Sequence, residues 1–224
     1  MTDSRLPSLS PLEARVLGVL IEKQVTTPDY YPLTVNALVA GCNQKSNRDP
    51  VMNASEAEVE MALDALKRQT LVIDSYGASG RVMRYAHNLP KVLDIGQAAT
   101  SLLAALMLRG AQTPGELRTG CERLYRFADI SSVEAYLEEM SARAAGALVT
   151  KLPKQPGSRE HRWAHLLSGT VPIESVTVAS AEQIGSVTTG EIAALKSTVA
   201  ELRDQVAELR AMVEQLSKDF GTAR

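Results

Sequence analysis

Three short stretches of this chain occur twice, in the same order and at nearly the same separation. Arg84-Tyr85-Ala86-His87 returns as Arg162-Trp163-Ala164-His165. Leu38-Val39-Ala40-Gly41-Cys42 returns as Leu117-Arg118-Thr119-Gly120-Cys121, and Val59-Glu60-Met61-Ala62-Leu63 as Val133-Glu134-Ala135-Tyr136-Leu137. The offsets are 78, 79 and 74 residues. Chance does not keep order and spacing together, so the pattern reads as one domain duplicated within the chain. Each copy spells helix, helix, helix, hairpin, the plan of a winged helix. The expected fold is mainly α with small β-hairpins (α+β), in two tandem winged-helix domains over residues 8–90 and 91–168. A flexible linker over 169–189 and a coiled-coil helix over 190–219 complete the expected organisation.

Local signals within each copy agree with that plan. Ser10-Pro11-Leu12-Glu13 opens a first helix with a capping box, and Leu12, Val16, Leu17, Leu20 and Ile21 give it one apolar face. A second helix is predicted from about Thr34 to Gln44, and a third from the Ser55/Glu58 capping box to Gln69. Leu71–Ser75 and Arg81–Ala86 flank the glycine-bearing loop of a hairpin. In the second copy an apolar helix runs from Gln97 to Arg109 and stops at Gly110. Thr113 opens a short second helix, Ser132 caps a third, and strands at Leu148–Leu152 and Arg162–Leu166 enclose a proline-stiffened wing tip.

Beyond Ser168 the composition turns to Ser, Thr, Val and Gly without helical period, which reads as linker. After it, Ile192, Leu195, Val199, Leu202, Val206, Leu209, Val213 and Leu216 alternate spacings of three and four. β-Branched residues at one seam position and Leu at the other favour a parallel two-stranded coiled coil. A homodimer through this C-terminal helix is the expectation.

Composition excludes more than it selects. Net charge is −2, with −1 over residues 1–90, +2 over 91–168 and −3 over 169–224, so only the second copy is basic, and mildly. Two cysteines, Cys42 and Cys121, make no disulfide framework; at matching places in the two copies they read as small buried apolar residues. His87 and His165 close equivalent strands two residues after an aromatic, and read as a shared structural hydrogen bond. Three histidines and two cysteines scattered in this way form no metal site. Phosphate loops, nucleophile elbows and paired catalytic carboxylates do not appear. The expectation is therefore a protein that is not an enzyme and takes no cofactor. No apolar run follows a basic start and none approaches the ~20 residues of a membrane span, so a cytoplasmic location without membrane contact is expected.

Surface charges decide what a winged helix of this kind would bind. The third helix of such a domain usually enters the major groove of DNA. Here Glu56, Glu60 and Asp64 face outward on one third helix, and Glu134 and Glu138 on the other, which disfavours insertion between phosphates. The basic residues lie in loops and wings. Lys151, Lys154, Arg159 and Arg162 in the second wing are the expected phosphate contacts, helped by Lys45, Arg48, Arg81 and Arg84. Contact with duplex DNA through these residues, as a regulatory or architectural factor, is the leading expectation. The alternative is an adaptor whose winged helices bind a protein partner.

The stretches LSPLEARVLGVLIEKQVTTPDYYPLTVNALVAGCNQKSNRDPVM, GELRTGCERLYRF and PGSREHRWAHLLSG, together spanning roughly residues 8–169, resemble the YceH-like family of uncharacterised bacterial proteins. That resemblance implies a pair of winged-helix domains in one chain and brings no established activity, ligand or catalytic residue. It also implies that Asn43, Gln44, Lys45, Ser46, Asn47, Arg48, Asp49 and Pro50 are the family's hallmark loop.

Overall fold

In the computed structural model, residues 7–76, 82–154, 158 and 160–169 are described. The expected linker at 169–189 (its first residue, Gly169, apart), the coiled-coil helix at 190–219 with its seam from Ile192 to Leu216, and the wing residues Arg81 and Arg159 lie outside them.

Among the described residues the chain forms seven α-helices and two antiparallel hairpins, in an order that runs twice. Helix α1 (Pro11–Thr26), a 3-10 turn (Pro28–Tyr30), α2 (Val35–Cys42), α3 (Glu56–Arg68) and strands β1 (Val72–Tyr76) and β2 (Met83–His87) make the first half. After a short α4 (Leu89–Leu93) come α5 (Gln97–Arg109), α6 (Pro114–Gly120), α7 (Ile130–Ser141), β3 (Val149–Lys151) and β4 (Trp163–His165). The echo extends to a detail invisible in the sequence. Leu33, just before the cap of α2, exchanges both backbone hydrogen bonds with Tyr85 at 3.1 and 2.8 Å. Gln112, just before the cap of α6, does the same with Trp163 at 3.0 and 2.7 Å. Both hairpins thus gain a one-residue third strand at the equivalent place.

The capping signals act as read. Ser10 with Glu13, Ser55 with Glu58 and Thr113 with Glu116 all form reciprocal capping boxes, satisfying amide donors that a helix start leaves bare. One cap differs from its expectation. Asp129, rather than Ser132, caps α7, because its carboxylate accepts the Ser132 N–H at 2.7 Å and starts the helix three residues earlier. Gly110 closes α5 at φ 70°, a left-handed conformation that glycine enters without a Cβ clash.

One hydrophobic core runs through both halves. Its centre is α5, buried on all sides from Ala98 to Leu108, as an apolar helix with no polar face must be. The buried hydroxyls of Thr100 and Ser101 on α5 donate to the carbonyls four residues back, at 2.9 Å each, so they carry no desolvation penalty. Helix α1 lies along α5, and the two equivalent first helices form the joint between the halves. Glycine makes that approach possible: a Cβ on Gly18 would stand 2.9 Å from Leu108 Cγ. The N-terminal segment adds a further tie, with the Leu9 N–H donating to Leu167 O at 2.7 Å.

Candidate functional site

The residues expected to meet phosphate have unequal fates. Arg48 is not on the surface where a charged loop residue was expected. Its side chain is fully covered, and its guanidinium donates to Gly41 O (3.1 Å), Asn47 O (2.8 Å) and both carboxylate oxygens of Glu22 on α1 (3.2 and 2.6 Å). A burial of this kind requires a paired carboxylate, and Glu22 supplies it. Arg84 lies across the loop before α2, donating to Pro32 O at 2.7 Å and Tyr30 O at 3.3 Å. Lys151 sits 5.4 Å above the Trp163 ring and 3.3 Å from Glu138, while Arg162 stands 3.4 Å from Glu116. Lys45 and Lys154 are exposed. Together these residues do not form a bare cationic band.

The third helices present acid instead. On α3, Glu56, Glu60 and Asp64 are exposed, and Met61 projects among them with 64% of its surface open to solvent. Lys67 at the end of α3 is drawn to Asp74 on β1 at 3.1 Å and to Asp64 at 3.6 Å. Its hydrogen bond with Asp74 raises its pKa, so it stays charged and neutralises one edge of the face. On α7, Glu134, Glu138 and Glu139 are exposed around Ala135, the counterpart of Met61. The acidic surfaces are those the alternation of charges predicts. Met61 as an apolar anchor among them was not singled out, although it falls between Val59 and Leu63 on the outward side.

The loop expected to be the family's hallmark, residues 43–50, is built to hold a shape. Asn43 ends α2, and its amide pairs with the backbone of Ala54 in both directions: Nδ2 donates to Ala54 O at 2.8 Å, and Oδ1 accepts the Ala54 N–H at 2.7 Å. Gln44 Nε2 reaches Ser46 O at 2.9 Å, and Asn47 turns the chain at φ 55°, a left-handed conformation that Asn tolerates better than most residues. Beneath the loop Arg15 is 1% exposed and donates to Cys42 O (3.1 Å) and Pro50 O (2.7 Å). Burial lowers its pKa, with the neighbouring Arg48 adding to the effect. Sequence reasoning passed over Arg15, yet the signal was there: it falls three residues after Leu12 and four before Val19, on the apolar face of α1.

Beside the loop, a cleft of about 1110 Å³ opens between the ends of α1 and α5 and the start of α6. Asn47, Asp49, Arg109, Glu122 and Arg123 face it, and its lining carries five basic and four acidic side chains, a balance that selects neither anions nor cations. Arg109 closes its floor by donating to Gly120 O at 2.8 Å.

Both cysteines are buried, as expected, and burial pushes the thiol of Cys42 up to about 11 and that of Cys121 up to about 12. Neither supplies thiolate at neutral pH. The shared histidine hydrogen bond holds for one copy only. His87 Nε2 stands 2.7 Å from Gln24 Oε1, whereas the His165 side chain has no such partner among the described residues. No group of three or more His, Cys, Asp or Glu among the described residues is placed to hold a metal ion. Within the same residues no helix is long and apolar enough to cross a membrane.

Comparison with known proteins agrees with the resemblance read from the sequence. A family model described as "Protein of unknown function, DUF480" matches residues 9–158. A UPF0502 protein of Dechloromonas aromatica is 54% identical over 193 residues, covering 86% of this chain and 90% of the relative. A UPF0502 protein of Burkholderia thailandensis is 54% identical over 214 residues, covering 96% and 90%. One from Leptothrix cholodnii is 49% identical over 215 residues, covering 95% and 96%. The chain therefore belongs to the DUF480 family, among the bacterial UPF0502 proteins.

Proposed function

We propose that this chain is a non-enzymatic protein of two tandem winged helices, and that it works as an adaptor whose outward α3 face binds a protein. The winged-helix reading is supported by the repeated order of helices and hairpin and by the matching third-strand bridges at Leu33 and Gln112. One observation carries the choice of partner: the helix that would enter a DNA groove shows Glu56, Glu60 and Asp64 around an exposed Met61. Three carboxylates repel phosphate, whereas an exposed Met is a residue type enriched where proteins bind proteins. Of the basic side chains that would offset this, Arg48 is turned inward, and Arg84, Lys151 and Arg162 are engaged by neighbouring carbonyls and carboxylates.

Affinity capture from a bacterial lysate tests the reading. A stoichiometric protein partner is expected, and Glu56→Ala/Glu60→Ala/Asp64→Ala or Met61→Ala should lower its retention about tenfold, the effect of losing one hot-spot contact. An unchanged partner list in both variants would remove the assignment to α3. The second reading, contact with duplex DNA, keeps the exposed Lys154 and Lys45 together with Arg159 and Arg81 in its favour. A DNA titration at several salt concentrations separates the two: tight binding with a steep salt slope belongs to DNA, and its absence at low salt to the adaptor. Dimerisation through the seam at Ile192–Leu216 belongs to either reading. Deleting residues 190–224 should convert a dimer to a monomer in sedimentation, and an unchanged mass would refute the seam.

A further inference from the structure

We infer that the hallmark loop, residues 43–50, is a lock on the joint between the two halves, with Arg48 as its pin. The loop is anchored on each side of that joint. On the first half, the Arg48 guanidinium grips both oxygens of Glu22 on α1 at 3.2 and 2.6 Å, and the Asn43 amide closes the loop on Ala54. On the second half, the Asp49 N–H donates to Leu108 O at 2.9 Å. Leu108 lies in the last turn of α5, where a carbonyl has no partner within its own helix, so the loop supplies the bond that the helix end lacks. The side chain of the same Leu108 packs over Gly18 of α1. Leu108 is thus held twice by the first half, through its carbonyl by the loop and through its side chain by α1.

The pin suits the task chemically. A guanidinium offers donors in a fixed planar fork, and here, with the Arg48 side chain itself fully covered, they go to two carbonyls and one bidentate carboxylate. Lysine, a single ammonium on a flexible stem, cannot span that set. The loop's polar composition, which exceeds the needs of a turn, follows: Asn43 closes it, Arg48 pins it to α1, and the backbone at Asp49 joins it to α5. A lock at this place holds the α3 and α7 faces in one fixed relation. That consequence rests on the adaptor reading; the lock itself does not.

Hydrogen exchange on the intact chain tests it without any partner. In Arg48→Lys, exchange should rise at least tenfold over residues 43–54, in the last turn of α5 and through 88–96, while the middle of α3 and of α7 keeps its protection. Glu22→Gln should give the same pattern at smaller amplitude. It leaves the Arg48 bonds to Gly41 and Asn47 in place, and so serves where Arg48→Lys does not fold. Acceleration confined to residues 43–50 would overturn the lock, reducing the loop to a local turn. A uniform rise that includes α3 and α7 would overturn it as well, since the joint would then have no stability of its own to lose. These outcomes leave the choice between protein and DNA untouched, so the two proposals fail separately.

Discussion

Replacing Gly18 with leucine is expected to destabilise both halves at once, lowering the melting temperature by roughly 6–12 °C. The site is fully buried on α1, and a Cβ there would meet Leu108 Cγ at 2.9 Å and Cδ2 at 3.0 Å before any larger group is added. Overpacking of this kind costs about 3 kcal/mol, and each kcal/mol moves the midpoint of a unit this size by roughly 2–4 °C. Gly18→Ala should be close to neutral. Its gain in helix propensity, about 1 kcal/mol, offsets the small movement asked of a flexible Leu108 side chain. Gly41→Ala should be worse than Gly18→Ala, because its Cβ would stand 2.6 Å from Cγ1 of Val19, a β-branched side chain with little rotamer freedom. The chain has one tryptophan, Trp163, on the far hairpin of the second half. Its fluorescence during urea unfolding reports whether damage at Gly18 is felt there. A shifted circular dichroism transition with an unmoved tryptophan transition would contradict a single core through α1 and α5.

The contrast between Gly18 and the caps shows which parts of the fold the sequence made legible. Capping boxes at Ser10, Ser55 and Thr113, the glycine stop at Gly110 and the two hairpins are local chemistry, set by residues within a few positions of one another. Their expected and observed places agree closely. The repeated order of helices and hairpin was equally plain, since it needs only the chain compared with itself. What stayed hidden involves distant partners. The apolar face of α1 shows that something covers it, and does not name α5. Arg48 in a polar run reads as solvent-facing until Glu22, 26 residues away, is placed beside it. Gly18 looks like an ordinary weak point in a helix until Leu108 arrives. The candidate surface divides in the same way: the acidic pattern of α3 follows from helical periodicity, whereas the burial of Arg48 and the surface ion pairs of Lys151 and Arg162 depend on tertiary neighbours.

Acid should destabilise this protein from about pH 6.5 downward, because of the two strand-end histidines. Burial pushes His87 down to about 4 and His165 down to about 4, from an ordinary value of 6.5. Geometry accounts for the direction. With Gln24 Oε1 accepting from His87 Nε2, the ring's one proton is placed, and Nδ1 is left buried without a partner; His165 Nδ1 is buried and unpartnered as well. A second proton on either ring would put a charge and a bare N–H where nothing described receives it. Both rings are therefore neutral in the folded state down to about pH 4, while in the unfolded chain they charge at about pH 6.5. The unfolded state binds more protons throughout that window, so stability is complete above it and falls as pH drops from 6.5 toward 4. At pH 5 the loss is about 2 kcal/mol for each histidine, and jointly it amounts to a large part of a typical domain's stability. The lowered carboxylates of Glu58 and Asp129, with ordinary values of 4.5 and 3.8, enter only at the acid end of this range. Urea midpoints at pH 7.5 and pH 5.0 measure the effect, and His87→Gln/His165→Gln supplies the control. The double variant should start less stable and change little between the two pH values. If it lost as much stability as the parent chain, the acid response would have to come from other groups.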